Sequence, residues 1–487
     1  MNTTQMIKFK KIALLFSFFI AVIQLQLAQN PGNKEKKTDL LVLENLEVWK
    51  NLKFGFMMHW GPYSQWGVVE SWSLCSEDVP WCKRNMDNYV DYVNAYEKLK
   101  DTFNPVNFEP EKWAKAAREA GMKYVVFTTK HHDGFSMFDT KFTDYSITDP
   151  GCVFHNNPKS NVTKEIFNAF RKEGFKTGAY FSKPDWHCEY YWWPYFATPD
   201  RHVNYNPIKY PERWQDFKDF TYGQIEELMT GYGKVDILWL DGGWVRPRPA
   251  LNPANPEGKS HHPYDQDIDM PRIAKMARSH QPGIIIVDRT VSGEFENYTT
   301  PEQHIPEKAL NYPWETCMTM GNSWSYVPND RYKSANKLIH NLVDIVAKGG
   351  NYLLNVGPGP DGTLPDEAIT RMKEIGEWMK VNGEAIYKTR AIAPFKENNI
   401  CYTINSDGCI NAIYLAEENE LTPPEEIIIS SFTPEKGSKI YMLGYSKPLK
   451  WKKNGGGFVI SIPKSVQKNP PCRHAWSFRI AKVSRED

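Results

Sequence analysis

Between residues 40 and 385 short apolar runs alternate with segments whose apolar residues recur at helical spacing, and after residue 387 this alternation stops. Strand-like runs fall at 54–59, 124–128, 177–181, 237–240, 284–287 and 352–356. Helical stretches fall at 110–120, 164–173, 212–230, 272–280, 335–348 and 365–381, the last two stopping at Gly349-Gly350 and near Asn382-Gly383. Glycine past the last apolar turn is a helix stop signal. Strand followed by helix followed by strand is the unit of a parallel sheet covered by helices. The expectation is an α/β fold, a (β/α)8-like barrel over residues 29–386. Polar residues follow the strand-like runs: His59, His131 and His132, Asp185, Asp241, Asp288 and Arg289. In such a barrel they converge on the C-terminal face, where active sites sit.

Beyond residue 387 the runs shorten to 400–404, 410–415, 426–430, 439–443, 457–462 and 476–480, separated by Gly, Pro and Asn turns. That pattern predicts a C-terminal antiparallel β-sandwich over 387–487. At the other end, Lys8, Lys10 and Lys11 precede an apolar stretch from Ile12 to Ile23 and a polar stretch to Ala28. These are the parts of a secretory signal at 1–28, so the mature chain is expected to start near Gln29, secreted or periplasmic and without a membrane span.

Fifty-nine basic against 58 acidic residues leave a formal charge of +1, a balance that draws in neither nucleic acid nor an anionic membrane surface. The 17 tryptophans and 14% aromatic content suit a neutral sugar, whose C–H faces lie on indole and phenol rings. None of the eight cysteines has CxxC zinc spacing, and neither metal nor cofactor is expected. Cys401 and Cys409 flank the turn Asn405-Ser406-Asp407-Gly408; a local disulfide and buried free thiols are the two readings of that pair. Asn161-Val162-Thr163 and Asn297-Tyr298-Thr299 match the glycosylation pattern.

The sharpest motif is Val235-Asp236-Ile237-Leu238-Trp239-Leu240-Asp241-Gly242-Gly243-Trp244. A buried strand here delivers a carboxylate, Asp241, to a glycine loop between two indoles. Together with Phe54-Gly55-Phe56-Met57-Met58-His59-Trp60-Gly61, Thr129-Lys130-His131-His132-Asp133-Gly134-Phe135 and Gly349-Gly350-Asn351-Tyr352-Leu353-Leu354-Asn355-Val356-Gly357-Pro358, it resembles the α-L-fucosidases of glycoside hydrolase family 29. The resemblance implies a retaining exo-glycosidase acting on a fucosylated glycan or glycoconjugate. By that resemblance Asp241 is the nucleophile and Glu302 the acid/base, with Glu294 and Glu296 as rivals on the same loop and Glu315 in support. His59, His131, His132 and Arg289 match sugar ligands, and Tyr180, Trp239 and Trp324 match pocket walls. Many relatives carry a Glu-Trp pair after the first strand; Glu70-Ser71-Trp72 and Pro80-Trp81 are rival matches here, with Trp81 assigned to substrate binding. The same residues admit a silent fucose-binding protein, relaxed specificity toward α-L-galactosides, or a metal hydrolase using His131, His132 and His187.

Overall fold

The computed structural model describes residues 39–75, 82, 84–198, 200–248, 264–481 and 483–484. The expected signal segment 1–28 and Trp81 lie outside them. Seven parallel strands form the first sheet: β1 (Phe54–Met58), β2 (Tyr124–Lys130), β3 (Lys176–Ser182), β4 (Ile237–Asp241), β5 (Ile285–Asp288), β6 (Glu315–Thr319) and β7 (Asn351–Val356). Their spatial order is β5-β4-β3-β2-β1-β7-β6. No eighth regular strand joins β5 to β6 among the described residues. An irregular stretch, 295–303, takes that place. Asp288 N–H donates to the Phe295 carbonyl and Asn297 N–H to that of Ile286, while Glu315 N–H donates to Thr299 and Gln303 N–H to Cys317. The seam therefore hydrogen-bonds to β5 on one edge and β6 on the other.

Successive residues of a strand point to opposite faces, and the buried residues divide accordingly. On β4, Leu238 and Leu240 belong to the apolar layer beneath the helices, while Ile237 and Trp239 belong to a separate cluster with Met57, Tyr124, Val126, Tyr180, Val287 and Cys317. That second cluster is the barrel interior. Asp241 follows the parity of Ile237 and Trp239, and Arg289 that of Ile285 and Val287, so both side chains emerge at the mouth of the barrel. Helix Leu40–Leu52 closes the opposite end: Trp49 stacks on Tyr298 at 4.1 Å, and Asn45 donates to the Gly283 carbonyl at 2.7 Å.

The C-terminal region is a sandwich of a five-stranded and a three-stranded antiparallel sheet. Ile427, Ile429, Phe458 and Ile460 of the smaller sheet share a core with Tyr402, Ala412, Trp476 and Phe478 of the larger. The larger sheet's other face, with Cys401, Ile413 and Leu415, joins the barrel's outer core. Trp378 donates across this junction to the Ala475 carbonyl at 2.9 Å, and Asn336 donates to that of Ala416 at 2.9 Å.

None of the eight cysteines is in a disulfide. Cys401 is opposite Ile413 in its hairpin, four residues beyond Cys409, so the register separates the two sulfurs and the local disulfide is not formed. Both glycosylation asparagines are engaged. Asn161 accepts from Lys164 N–H as a helix cap and donates to Tyr232, and Asn297 accepts from Ile286 N–H.

Gly376 in helix Asp366–Asn382 touches helix Pro110–Glu119 so closely that a Cβ would meet the Glu119 carbonyl oxygen at 2.2 Å. That neighbour is backbone and cannot rotate away. Gly376→Ala is therefore expected to destabilise the protein by about 1–3 kcal/mol, read as a lower urea midpoint with an unchanged slope; an unchanged midpoint would show that the helices separate freely.

Candidate active site

A cavity of about 580 Å³ opens at the C-terminal ends of the parallel strands. His59 follows β1, His131 and His132 follow β2, Tyr180 lies on β3, Trp239 and Asp241 on β4, and Arg289 follows β5. All of these, with Glu302 and Trp324, line the cavity. Of the acid/base rivals, Glu294 is exposed and Glu296 accepts from Thr290 N–H at 3.1 Å; neither lines the cavity. Glu302 does, because the seam's bridge to Cys317 fixes its backbone beside β6.

The carboxylates share one cation. Arg289 donates through one guanidinium nitrogen to Asp241 at 3.0 Å and through another to Glu302, its carbon lying 5.2 Å from the centre of Trp239. Asp241 also accepts from the Tyr180 hydroxyl at 2.7 Å and from Gly242 N–H at 2.8 Å. Burial alone would raise its pKa; the Arg289 charge and these two donors outweigh it and hold the carboxyl well below the usual range. Asp241 is thus ionised and oriented.

Each histidine is neutral, and its tautomer follows from what its Nδ1 meets. Burial pushes His59 down to about 4 and His132 to about 3, and holds His131 well below its ordinary value. Asn355 donates to the Trp324 carbonyl at 2.6 Å, so its oxygen faces His59 Nδ1 at 2.8 Å and accepts from it. Ser182 donates its only proton to the Pro184 carbonyl at 2.5 Å, so His132 Nδ1, 2.7 Å away, must be the donor. Ser71 accepts from Asp133 N–H at 2.9 Å, and among the described residues His131 Nδ1, 2.6 Å away, is the acceptor within reach of its own proton. Hydrogen-bond accounting therefore assigns an Nε2–H donor to His131 and bare Nε2 acceptors to His59 and His132.

Two further groups complete the site, one left open in the sequence and one read there as support. Glu70 and Trp72 line the cavity, which places the Glu70-Ser71-Trp72 match there. Glu70 is 2% exposed, and its Oε2 has no hydrogen-bond partner among the described residues; burial, followed by the Glu302 charge, raises its pKa to about 8. Beneath the cavity Glu315, fully buried, accepts from Tyr124 at 2.6 Å and from the Trp239 indole at 3.2 Å. It supports the floor.

His131, His132 and Asp241 bring ligand-type atoms within 4.8 Å of one another. The donor set suits a cation poorly, because Arg289 already occupies the carboxylate and His131 presents a proton. His187, the third imidazole of the metal reading, turns instead to Glu97 at 2.8 Å and stacks on Tyr145.

Two carboxylates joined through one guanidinium at a barrel mouth suit the paired displacements of sugar transfer, so fold and cavity define a glycoside hydrolase. Comparison with known proteins narrows the class. The alpha-L-fucosidase family model matches residues 21–384 and the alpha-L-fucosidase C-terminal domain model residues 394–481: the chain belongs to the α-L-fucosidase family. It is 28% identical over 496 residues to the tissue alpha-L-fucosidase of Homo sapiens, covering 97% of both chains, and 27% identical to an alpha-L-fucosidase of Branchiostoma floridae, covering 88% of this chain and 92% of that one. Among solved structures, alpha-L-fucosidase isoenzyme 1 from Paenibacillus thiaminolyticus superposes with a TM-score of 0.72 at 28% identity, covering 91% of this chain and 100% of that one. A trapped covalent intermediate of a Bacteroides thetaiotaomicron GH29 alpha-L-fucosidase superposes at 0.69 and 24% identity, covering 94% and 99%.

The Glu70 carboxyl generates a pH prediction. Its raised pKa keeps it neutral below about pH 8; above that, a buried charge appears beside Glu302, with its Oε2 unpartnered among the described residues. kcat/KM is expected to fall as pH rises through about 8, and Glu70→Gln, neutral at every pH, should lack this limb in a pH–rate profile. A limb that persists in the variant would assign it to another group.

Proposed function

We propose that the cavity is the active site of a retaining, exo-acting enzyme that removes terminal α-L-fucose, with Asp241 as nucleophile and Glu302 as acid/base. The observation that carries this reading is the Arg289 bridge between the two carboxylates. Glu302 takes up a proton before the first step; Asp241 then attacks the anomeric carbon while Glu302 gives that proton to the departing glycosidic oxygen, leaving a fucosyl ester on Asp241. Glu302, now a carboxylate, takes a proton from water; the water oxygen attacks the same carbon, the ester bond breaks and Asp241 regains its charge. Two displacements restore the starting configuration. The trapped covalent intermediate of the Bacteroides protein is the kind of species this scheme requires.

His59, His131 and His132 are assigned to the sugar hydroxyls, each with a fixed donor or acceptor role, and Tyr180, Trp239 and Trp324 to the ring and its methyl group. No metal or cofactor takes part in this scheme. A silent fucose-binding protein would not need both carboxylates in one cavity, and both line it. Lys8 to Lys11 followed by Ile12 to Ile23 support export, for which N-terminal sequencing of secreted material is expected to find a start near Gln29; a full-length intracellular product would reject it.

Asp241→Asn is expected to remain folded and to lose activity on the order of 10³-fold or more. Glu302→Ala should still form the ester from an aryl fucoside with a good leaving group but stall at its hydrolysis, and added azide, which needs no general base, should restore turnover as a fucosyl azide. A folded Asp241→Asn enzyme with wild-type turnover, or azide rescue at Glu296→Ala in place of Glu302→Ala, would overturn the corresponding role.

A further inference from the structure

The +1 balance of the whole chain hides a sharp asymmetry. Residues 436–485 contain twelve lysines and arginines and no aspartate or glutamate, so the rest of the chain carries a formal −11. A stretch so one-signed points to a partner of opposite charge.

The folded sandwich gathers part of this charge at one corner. Strand Lys450–Asn454 is an edge of the three-stranded sheet, beside strand Gly457–Ser461. Lys450 pairs with Ser461 and Lys452 with Val459, so both stand on the outer face, while Trp451 turns inward against Phe458 of the core at 6.0 Å. Ile440, on the edge of the five-stranded sheet, bridges antiparallel to Leu449, and the Trp451 indole donates to the Ser438 carbonyl at 3.0 Å. The residue before Ile440 therefore sits opposite the one after Leu449, and Lys439 faces Lys450. Like charges directly opposite one another destabilise a strand pair. Among the described residues Glu426 is the acid that pairs with this row, 3.5 Å from Lys452 with both side chains exposed, an arrangement worth little. Lys447 and Lys453 add two more exposed ammonium groups beside it.

We propose that this corner, Lys439, Lys450 and Lys452 with Lys447 and Lys453 beside them, binds a sulfated or carboxylated polysaccharide, independently of the cavity. The surroundings of the lysines select the partner. Every aromatic and large aliphatic residue of 436–479 is buried or half-buried. Protein interfaces close around an apolar or aromatic core, single-stranded nucleic acid stacks its bases on exposed rings, and a peripheral membrane contact embeds apolar side chains. The corner presents closely set cations instead, and a polysaccharide with sulfate or carboxylate groups along its length is held by its charges alone. Its anions also relieve the repulsion between Lys439 and Lys450.

The test measures binding of the full chain to heparin, a sulfated polysaccharide, beside neutral dextran, phosphatidylserine vesicles and duplex DNA. Wild-type protein is expected to bind heparin and not dextran, and to release heparin as salt screens the charges. Lys439→Glu, Lys450→Glu and Lys452→Glu together should raise the heparin Kd by about tenfold or more. Lys115→Glu, Lys164→Glu and Lys373→Glu together, at three exposed lysines of the barrel helices, make the same change in net charge and should raise it by less than about twofold. Lys439→Glu alone sets opposite charges across the corner, so it should melt no lower than wild type while binding heparin more weakly; it carries the test where the triple variant fails to fold. Equal losses in the two triple variants, no binding of wild-type protein to heparin, or tighter binding to vesicles or DNA than to heparin would overturn the proposal. Binding is read without turnover and neither triple variant alters the cavity, so the result stands apart from the fucosidase reading.

Discussion

One guanidinium decides how charge is arranged at the mouth of the barrel. With no cation between them, charged Asp241 and Glu302 carboxylates would repel each other, and burial would drive Asp241 toward its neutral form. Arg289 contacts both carboxylates and lies near Trp239, which is pinned from below by Glu315. The order runs inward, from two carboxylates to a cation, to an indole, to a carboxyl in the barrel interior. Each layer fixes the next.

Arg289 and Glu302 both depend on the irregular seam. Arg289 follows β5 directly, and Glu302 lies where the seam meets β6. A regular eighth strand would impose pleat parity on residues 295–303, whereas the seam takes a different set of partners on each edge and aims a single side chain without that restriction. Helix Leu40–Leu52, at the far end, shields Tyr124 and Tyr298 and so protects the polar interior from below.

Much of this was legible in the sequence because strand and helix periods differ. The apolar runs at 54–59, 124–128, 177–181 and 237–240 coincide with β1–β4 to within about two residues, and the parity of Ile237, Trp239 and Asp241 alone turns that acid inward. The strand β6 escaped notice because Glu-Thr-Cys-Met-Thr has no apolar run; its first residue is an acid satisfied by distant partners. Helix Leu40–Leu52 was missed because its buried residues serve as an end plug rather than a packing layer. Glu70 stayed ambiguous with the Trp81 segment because spacing to a loop residue carries no period. Ser71 and Ser182, which set the protons of His131 and His132, had no motif to mark them. Their role exists only once the chain is folded.

Those serines give the two adjacent imidazoles a direction. A hydroxyl lodged between His131 and His132 completes a one-way line of protons: Ser71 into His131, His131 into the hydroxyl, the hydroxyl into His132, His132 into Ser182, and Ser182 into the Pro184 carbonyl, where the line stops. Such chains polarise along their length, so each link strengthens its neighbours. An ether or ester in the hydroxyl's place can receive a proton but has none to pass on, and the line breaks at that oxygen. Under the proposed assignment of this pair to a sugar hydroxyl, the two rings favour an oxygen that accepts and donates at once.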